Sequence, residues 1–327
     1  MSAMFRVRSL SKLFPVERSF VDLLLAGSRR SFVHAVDEVS FDIHEGEVLG
    51  LAGESGSGKS TTGRLILRLV EPSSGSIEYR GRDLKNIPRR EMERLRARLQ
   101  IVFQDPNSSL SPRMSVGQAI GHPLAVHRLG DARERRERVL ELMEKIGLTP
   151  ASFLYRKYPH QLSGGQCQRV VLARALITNP EFIVADEPIA MADVSVRALI
   201  LELMLRLKEE FRLTYLFITH DLATAKYLCS RVAIMYLGRI VELAERRELF
   251  SRPHHPYTKA LLAAVPIPDP AQRRQHEVVR GEIPSAIHPP PGCHFHPRCP
   301  YAMPRCREGR PPLRELAPGH YSACLLD

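Results

Sequence analysis

The chain has no apolar run of membrane-spanning length. The longest early candidate, VDLLLAG at residues 21–27, is far shorter than the roughly 20 residues a spanning helix needs. Its start shows no charged stretch followed by an apolar core and a cleavage site, so the expected location is the cytoplasm. Cysteine is scarce, with six in 327 residues. In a cytoplasmic chain, six thiols argue against a disulfide framework and towards metal or redox use. No internal repeat of fixed period is visible. Acidic residues are outnumbered, 36 against 47 Lys and Arg, leaving a net charge of +11. That balance suits nucleic acid, an anionic membrane surface or an anionic ligand, and by itself selects none of them.

Proline is abundant but unevenly placed. Of 25 prolines, 15 fall between Pro253 and Pro318, and regular helix or strand cannot dominate so Pro-rich a segment. Residues 1–251 therefore read as one α/β domain, and 252–327 as a separate, loop-rich module. The length allows one large and one small domain, and 44% hydrophobic residues suit a soluble core.

VLGLAGESGSGKSTTGRLILRLV, residues 48–70, reads as a buried strand, a Gly-rich turn and a helix. Val48 to Leu51 is the apolar run; Leu65, Ile66, Leu69 and Val70 recur at helical spacing. Between them GESGSGKS matches G-x-x-x-x-G-K-[ST] at Gly53, Gly58, Lys59 and Ser60. Such glycines let backbone N–H groups turn towards phosphate oxygens, and the helix N-terminus adds partial positive charge. The candidate ATP contacts are Gly53, Glu54, Ser55, Gly56, Ser57, Gly58, Lys59, Ser60 and Thr61. Lys59 is expected to reach the β- and γ-phosphates and Ser60 to ligate Mg²⁺. A Gly/Ser-rich surface turn is the alternative.

Four further features narrow the class. FIVADEP ends a buried-strand run, Phe182 to Ala185, in two carboxylates. Asp186 can hold the Mg²⁺ hydration shell, and Glu187 can orient or deprotonate the attacking water; an ordinary acidic pair opening a helix would look the same. LSGGQ places Ser163, Gly164, Gly165 and Gln166 ahead of a helical run, a second anion-binding geometry. One chain does not need two such sites for one nucleotide, so a head-to-tail dimer is the economical reading; a plain serine N-cap is the alternative. Gln104, in IVFQDP, follows a strand ending at Phe103 and could meet the metal or the water. His220, in FITHD, follows another strand and could contact the γ-phosphate.

In this order, GESGSGKST, IVFQDP, LSGGQ, FIVADEP and the histidine of FITHD resemble the ATP-binding subunits of ABC transporters, over the whole first domain. The resemblance implies a P-loop ATPase fold with an inserted helical subdomain at about 105–165. SVGQAIGHPLAV and ERVLELMEKIGL carry helical spacing there, and Arg133 to Arg138 read as a solvated face. It further implies that Glu187 is the catalytic base, His220 the γ-phosphate sensor and Gln104 a metal contact and link to the membrane partner. Phe14, in LSKLFP, stands where the family stacks an aromatic on adenine, with Phe20 and Phe32 nearby. Where the family reads SALD, this chain reads AMAD at residues 190–193. Asp193 is kept in this interface loop, and the change could weaken communication between two sites.

The tail contains HPYTKALLAAVPIPDP, GEIPSAIHPPPGCHFHPRCPYAMPRC and PPLRELAPGHYSAC. Together these resemble the C-terminal extension of oligopeptide/dipeptide permease ATP-binding subunits, which implies peptides or related small solutes as cargo. Its partners would be a paralogous ATP-binding subunit, two transmembrane permease subunits and, indirectly, an extracytoplasmic solute-binding protein. Such a complex would place the chain peripherally on the cytoplasmic membrane face. Cys293, Cys299, Cys306 and Cys324 are separated by five, six and seventeen residues. These spacings suit a 4Fe-4S cluster better than the two-residue spacings common in zinc sites. Zinc stays open because His294 or His296 could replace a cysteine, as do disulfides or free thiols. The family resemblance also favours iron–sulfur, and structural stapling is preferred to redox sensing. The tail is expected to bury little apolar surface of its own, and Cys167 and Cys229 read as helix packing residues. The competing function is a nucleic-acid ABC ATPase with a zinc-bound tail. Against it stand a single ATPase domain and the lack of a long coiled-coil insertion or an aromatic–basic stripe. A regulatory, non-hydrolysing subunit is a third reading, motivated by AMAD.

Overall fold

A computed structural model describes residues 2–16, 31–190, 193–265 and 281–326. Contacts divide the chain into two compact units, one of residues 1–2, 44–48 and 86–218, the other of residues 3–43, 49–85 and 219–327.

In the first unit, Leu99–Val102, Phe182–Asp186 and Thr214–Thr219 run parallel, with Phe182–Asp186 in the middle. Every residue of the two later strands is buried, as their continuous apolar runs require in a parallel sheet. The helical stretch read from periodicity is present as helices Val116–Val126 and Ala132–Lys145. Ser115 with Gln118 caps the first, and Asp131 with Glu134 caps the second, each as a reciprocal capping box. Both pack against the helix Gly164–Leu176. Of Arg133 to Arg138, five are exposed and Arg135 is half-buried, with Arg133 paired to Glu137.

The second unit contains a sheet of Phe32–His44, Ala3–Pro15, Ser74–Tyr79 and Arg82–Asp83 in that order, with Ser74–Tyr79 antiparallel to both of its neighbours. It also contains the strand Val48–Ala52, parallel to Arg231–Tyr236, which pairs antiparallel with Arg239–Glu245. The Pro-rich tail joins this second group. His320–Ser322 pairs with Arg239–Glu245, and Arg314–Ala317 pairs with His320–Ser322. A helix spans Pro256–Ala263, with His255 as its N-cap. Burial pushes the His255 imidazole down to about 3, so it stays neutral and its Nδ1 accepts from the Tyr257 N–H at 3.1 Å.

The expectation that the tail buries little apolar surface is corrected. Tyr257 is fully buried and Phe295 nearly so. Both pack on Tyr236, with ring centroids 4.7 and 5.2 Å away. A third anchor is polar. Glu242 is wholly buried and accepts from the backbone N–H groups of His254 (2.8 Å) and His255 (2.9 Å), and lies 2.8 Å from His320 Nε2. One carboxylate thus holds both ends of the tail. Among the described residues no helix is long and apolar enough to cross a membrane. Cys167 is buried in its helix as expected, whereas Cys229 stands one residue beyond its helix and packs over Gly50.

Glu242→Ala would leave two N–H groups, that of His255 fully buried and that of His254 partly so, without this acceptor. The expected loss is about 3 kcal/mol, read as a lower thermal midpoint and early proteolytic loss of residues after 252. Glu245→Ala, at an exposed position, should leave both readouts unchanged.

Candidate functional site

The strand Val48–Ala52 delivers its chain to Gly53, and the helix Lys59–Ile66 begins six residues later. Gly53 has φ 152° and Gly58 φ 101°. A Cβ at Gly53 would lie 2.1 Å from the Met235 carbonyl oxygen, and one at Gly58 2.1 Å from that of Ala35. Backbone crowding therefore demands glycine at both ends of the loop. Ser55 and Gly56, between them, are exposed, while Ser57 and Lys59 are buried. Lys59 Nζ folds back on the loop, donating to the Gly53 and Glu54 carbonyls at 2.8 Å each. The loop thus stores one ammonium among backbone oxygens at a helix start, where a phosphate would compete for it. Ser60 and Thr61 follow in the first turn of that helix.

In the first unit, Asp186 closes its strand and is buried. Glu187 follows with φ 48°, its N–H bonded to the Ile218 carbonyl. This left-handed residue turns the chain sharply away from the strand. Gln104 lies two residues beyond the end of its strand and donates its amide to Glu187 Oε2 at 3.0 Å. The structure brings these two predicted residues together directly.

Ser163 caps the helix Gly164–Leu176, accepting from the Gln166 N–H while Gln166 accepts from the Ser163 N–H. Ser163 and Gly164 are exposed. The helix start is therefore a serine cap whose first residues are accessible. Asp193 is the exposed N-cap of Val194–Phe211. Of AMAD, Met191 and Ala192 lie outside the described residues. His220 is exposed immediately beyond its strand. Phe14 is partly exposed on Ala3–Pro15, with Lys12 Nζ 5.0 Å from its ring centre. Phe20 lies outside the described residues.

Cys293, Cys299, Cys306 and Cys324 line a single small recess with His255, Phe295, His296 and Tyr301 among its walls. The Cys293 N–H donates to the Cys306 carbonyl at 2.8 Å. Gly292, at φ 67°, makes that approach possible, because a Cβ there would lie 2.3 Å from the same carbonyl oxygen. Cys324 arrives through the pairing of His320–Ser322 with Arg239–Glu245. Burial pushes the Cys293 thiol up to about 11 and raises Cys299 and Cys324 as well. His294 does not line the recess; its Nδ1 faces the Leu237 carbonyl at 3.0 Å. His296 does line it. Among the described residues, no group of three or more His, Cys, Asp or Glu side chains is arranged to hold a metal ion. Two residues unmarked as site residues in the sequence, Tyr257 and Arg298, both bond to Glu54 of the Gly-rich loop. Their only sequence signal was membership of HPYTKALL and HPRCP.

The ABC transporter family model matches residues 36–190, and the model of the oligopeptide/dipeptide transporter C-terminal region matches residues 241–306. A putative peptide import ATP-binding protein of Brucella ovis is 48% identical over 92% of this chain and 94% of its own length. The chain belongs to the ATP-binding subunits of ABC transporters, in their oligopeptide/dipeptide branch. The oligopeptide transport ATP-binding protein AppF of Bacillus subtilis is 46% identical over 98% of this chain and 96% of its own. A solved dimeric ATP-binding cassette, MJ0796, in a post-hydrolysis state with ADP and phosphate, matches with a TM-score of 0.64 and 29% identity, over 75% of this chain and 99% of that one. The chain is an ATPase subunit of this transporter class, and the nucleic-acid alternative finds no support in these matches.

Gly58→Ala would combine a disfavoured φ with a backbone clash and is expected to weaken ATP binding about tenfold or more. Gly164→Ala, where the new Cβ meets nothing within 4 Å, should leave the thermal midpoint within about a degree of wild type. Nucleotide titration and thermal unfolding of the two variants check this.

Proposed function

We propose that this subunit hydrolyses ATP to energise import of di- or oligopeptides or a related small solute. The observation that carries the proposal is the Gly-rich loop with Lys59 held on its own carbonyls, ready to exchange them for phosphate. The match over residues 241–306 and the printed names of the Brucella and Bacillus relatives support the peptide class.

In this reading residues 53–61 bind the ATP phosphates, Ser60, Asp186 and Gln104 serve Mg²⁺, and Phe14 stacks on adenine. Glu187 polarises the attacking water and His220 senses the γ-phosphate. Before ATP and Mg²⁺ arrive, the Gln104 amide holds the Glu187 carboxylate through one oxygen, so Gln104 can respond to the metal and release the base together. Ser163 to Gln166 and Asp193 serve the nucleotide of a partner ATP-binding subunit. The ATPase domain spans 1–251 and the Cys-bearing module 252–327. The subunit lies on the cytoplasmic membrane face with two permease subunits, and a solute-binding protein outside selects the cargo.

The four cysteines are assigned to a 4Fe-4S cluster. Four thiols gathered around one recess, at sequence spacings wider than the two-residue spacings common in zinc sites, support the multi-iron centre. The bound group would act as a cross-link between residues 293–306 and Cys324, and would hold as thiolates what burial otherwise keeps protonated.

Glu187→Gln should lower ATP turnover of the assembled transporter about a hundredfold or more while leaving ATP affinity nearly unchanged. Unchanged turnover would remove Glu187 from catalysis, and measurable wild-type turnover disposes of the regulatory-subunit reading. Uptake of labelled dipeptides by cells carrying wild-type or Glu187→Gln subunits tests the cargo class. Anaerobically purified protein should contain about four irons and four acid-labile sulfides per chain. One zinc without sulfide would overturn the cluster assignment.

A further inference from the structure

Glu54 is the second residue of the Gly-rich loop, and all three of its polar groups are engaged. Its carbonyl accepts from Lys59 Nζ at 2.8 Å. Its N–H donates to the Tyr257 hydroxyl at 2.9 Å. Its carboxylate meets Arg298 as a fork, Nη1 to Oε2 at 2.9 Å and Nη2 to Oε1 at 3.3 Å. Tyr257 is fully buried and Arg298 is 9% exposed, its guanidinium over the rings of Tyr236 and Phe295 at 5.8 and 5.9 Å. Both side chains come from the C-terminal module and belong to the same compact unit as the loop.

Two physical consequences follow. When Lys59 turns to a phosphate, the Glu54 carbonyl keeps only a longer bond, 3.3 Å from the Ser57 N–H, and a Gly-rich loop loosened at that point has much conformational freedom to regain. Tyr257 and Arg298 hold the rising limb in place at that moment, so the loop keeps one shape for the anion to meet. The second consequence is electrostatic. A carboxylate one residue into a phosphate-binding loop repels the ligand the loop is shaped for. Arg298 neutralises it in a bidentate pair that a lysine could not reproduce.

We propose that Arg298 and Tyr257 are positioning residues for the phosphate loop, and that through Glu54 the Cys-bearing extension sets the affinity of this subunit for ATP. The inference rests on reading residues 53–60 as the phosphate loop. It gives the extension a role in the ATPase cycle.

The test is titration of the full-length chain with Mg²⁺ and a fluorescent ATP analogue, with iron content and thermal midpoint recorded for each variant. Arg298→Gln should raise Kd about tenfold, and Tyr257→Phe, which keeps the ring packing, about threefold. The double variant Glu54→Gln with Arg298→Gln should recover to within about threefold of wild type, because the uncompensated charge is gone; generic damage to the tail would not be repaired by a second change. In ATPase assays the loss should fall on KM far more than on kcat. Lys59→Ala separates the two levels of the argument. If it abolishes binding while Arg298→Gln and Tyr257→Phe bind as wild type, the positioning role is overturned and the loop reading stands. If Lys59→Ala binds as wild type, the loop reading fails and the inference with it. Should Arg298→Gln not fold, Tyr257→Phe and the double variant decide.

Discussion

Glu242 lies on the strand Arg239–Glu245 with no exposed surface, and a buried carboxylate is tolerated only when its oxygens are fully bonded. Here the partners come from the tail: the backbone of His254 and His255 and the ring of His320. Satisfying this one group fixes where residue 254 leaves the sheet and where residue 320 returns to it. From the first point the helix Pro256–Ala263 starts and points Tyr257 inward; from the second the strand His320–Ser322 pairs and carries Cys324 to the recess. The aromatic packing of Tyr236, Tyr257 and Phe295 then fills the space so enclosed. The polar contact sets register and the rings supply buried area, a division of labour expected where a short, Pro-rich segment lacks periodic apolar faces of its own.

The Gly-rich loop obeys the opposite logic. It is shaped by exclusion. The Met235 and Ala35 carbonyls stand so close that a Cβ at Gly53 or Gly58 has no room, and the chain between them must pass in one path. Lys59 then closes the ring of contacts from within. An incoming phosphate would compete with the Gly53 and Glu54 carbonyl oxygens for the ammonium.

Much of this was legible in the sequence because the relevant signals are local. G-x-x-x-x-G-K-[ST] after an apolar run specifies strand, turn and helix within about 20 residues, and Ser163 with Gln166 three residues on specifies a helix start. Gln104 and Glu187 could each be marked as functional, but their direct bond spans 83 positions and no local pattern encodes it. The tail was read less well for the same reason. Its buried rings, Tyr257 and Phe295, are 38 positions apart among prolines, and its strands are three and four residues long. Alternation cannot declare itself over so few residues. His294 is next to Cys293 in the chain, yet its ring turns to Leu237, a choice made by a carbonyl 57 residues away.

The Arg298–Glu54 pair is a poor device for stability alone. Desolvating two ions costs about as much as their attraction returns, and apolar residues of similar volume serve a core as well or better. Two apolar side chains at these positions would also release Tyr257 from no constraint, since its bond is to backbone. What they could not do is fix the direction of residue 54 by a two-pronged bond or cancel a negative charge beside an anion site. The pair therefore makes physical sense beside the phosphate site proposed for this loop and very little as packing. Because Arg298 is followed directly by Cys299, whatever orders the cysteine recess also orders the guanidinium. A segment with no catalytic group of its own is thereby placed where small changes in its order are felt at the first turn of the loop.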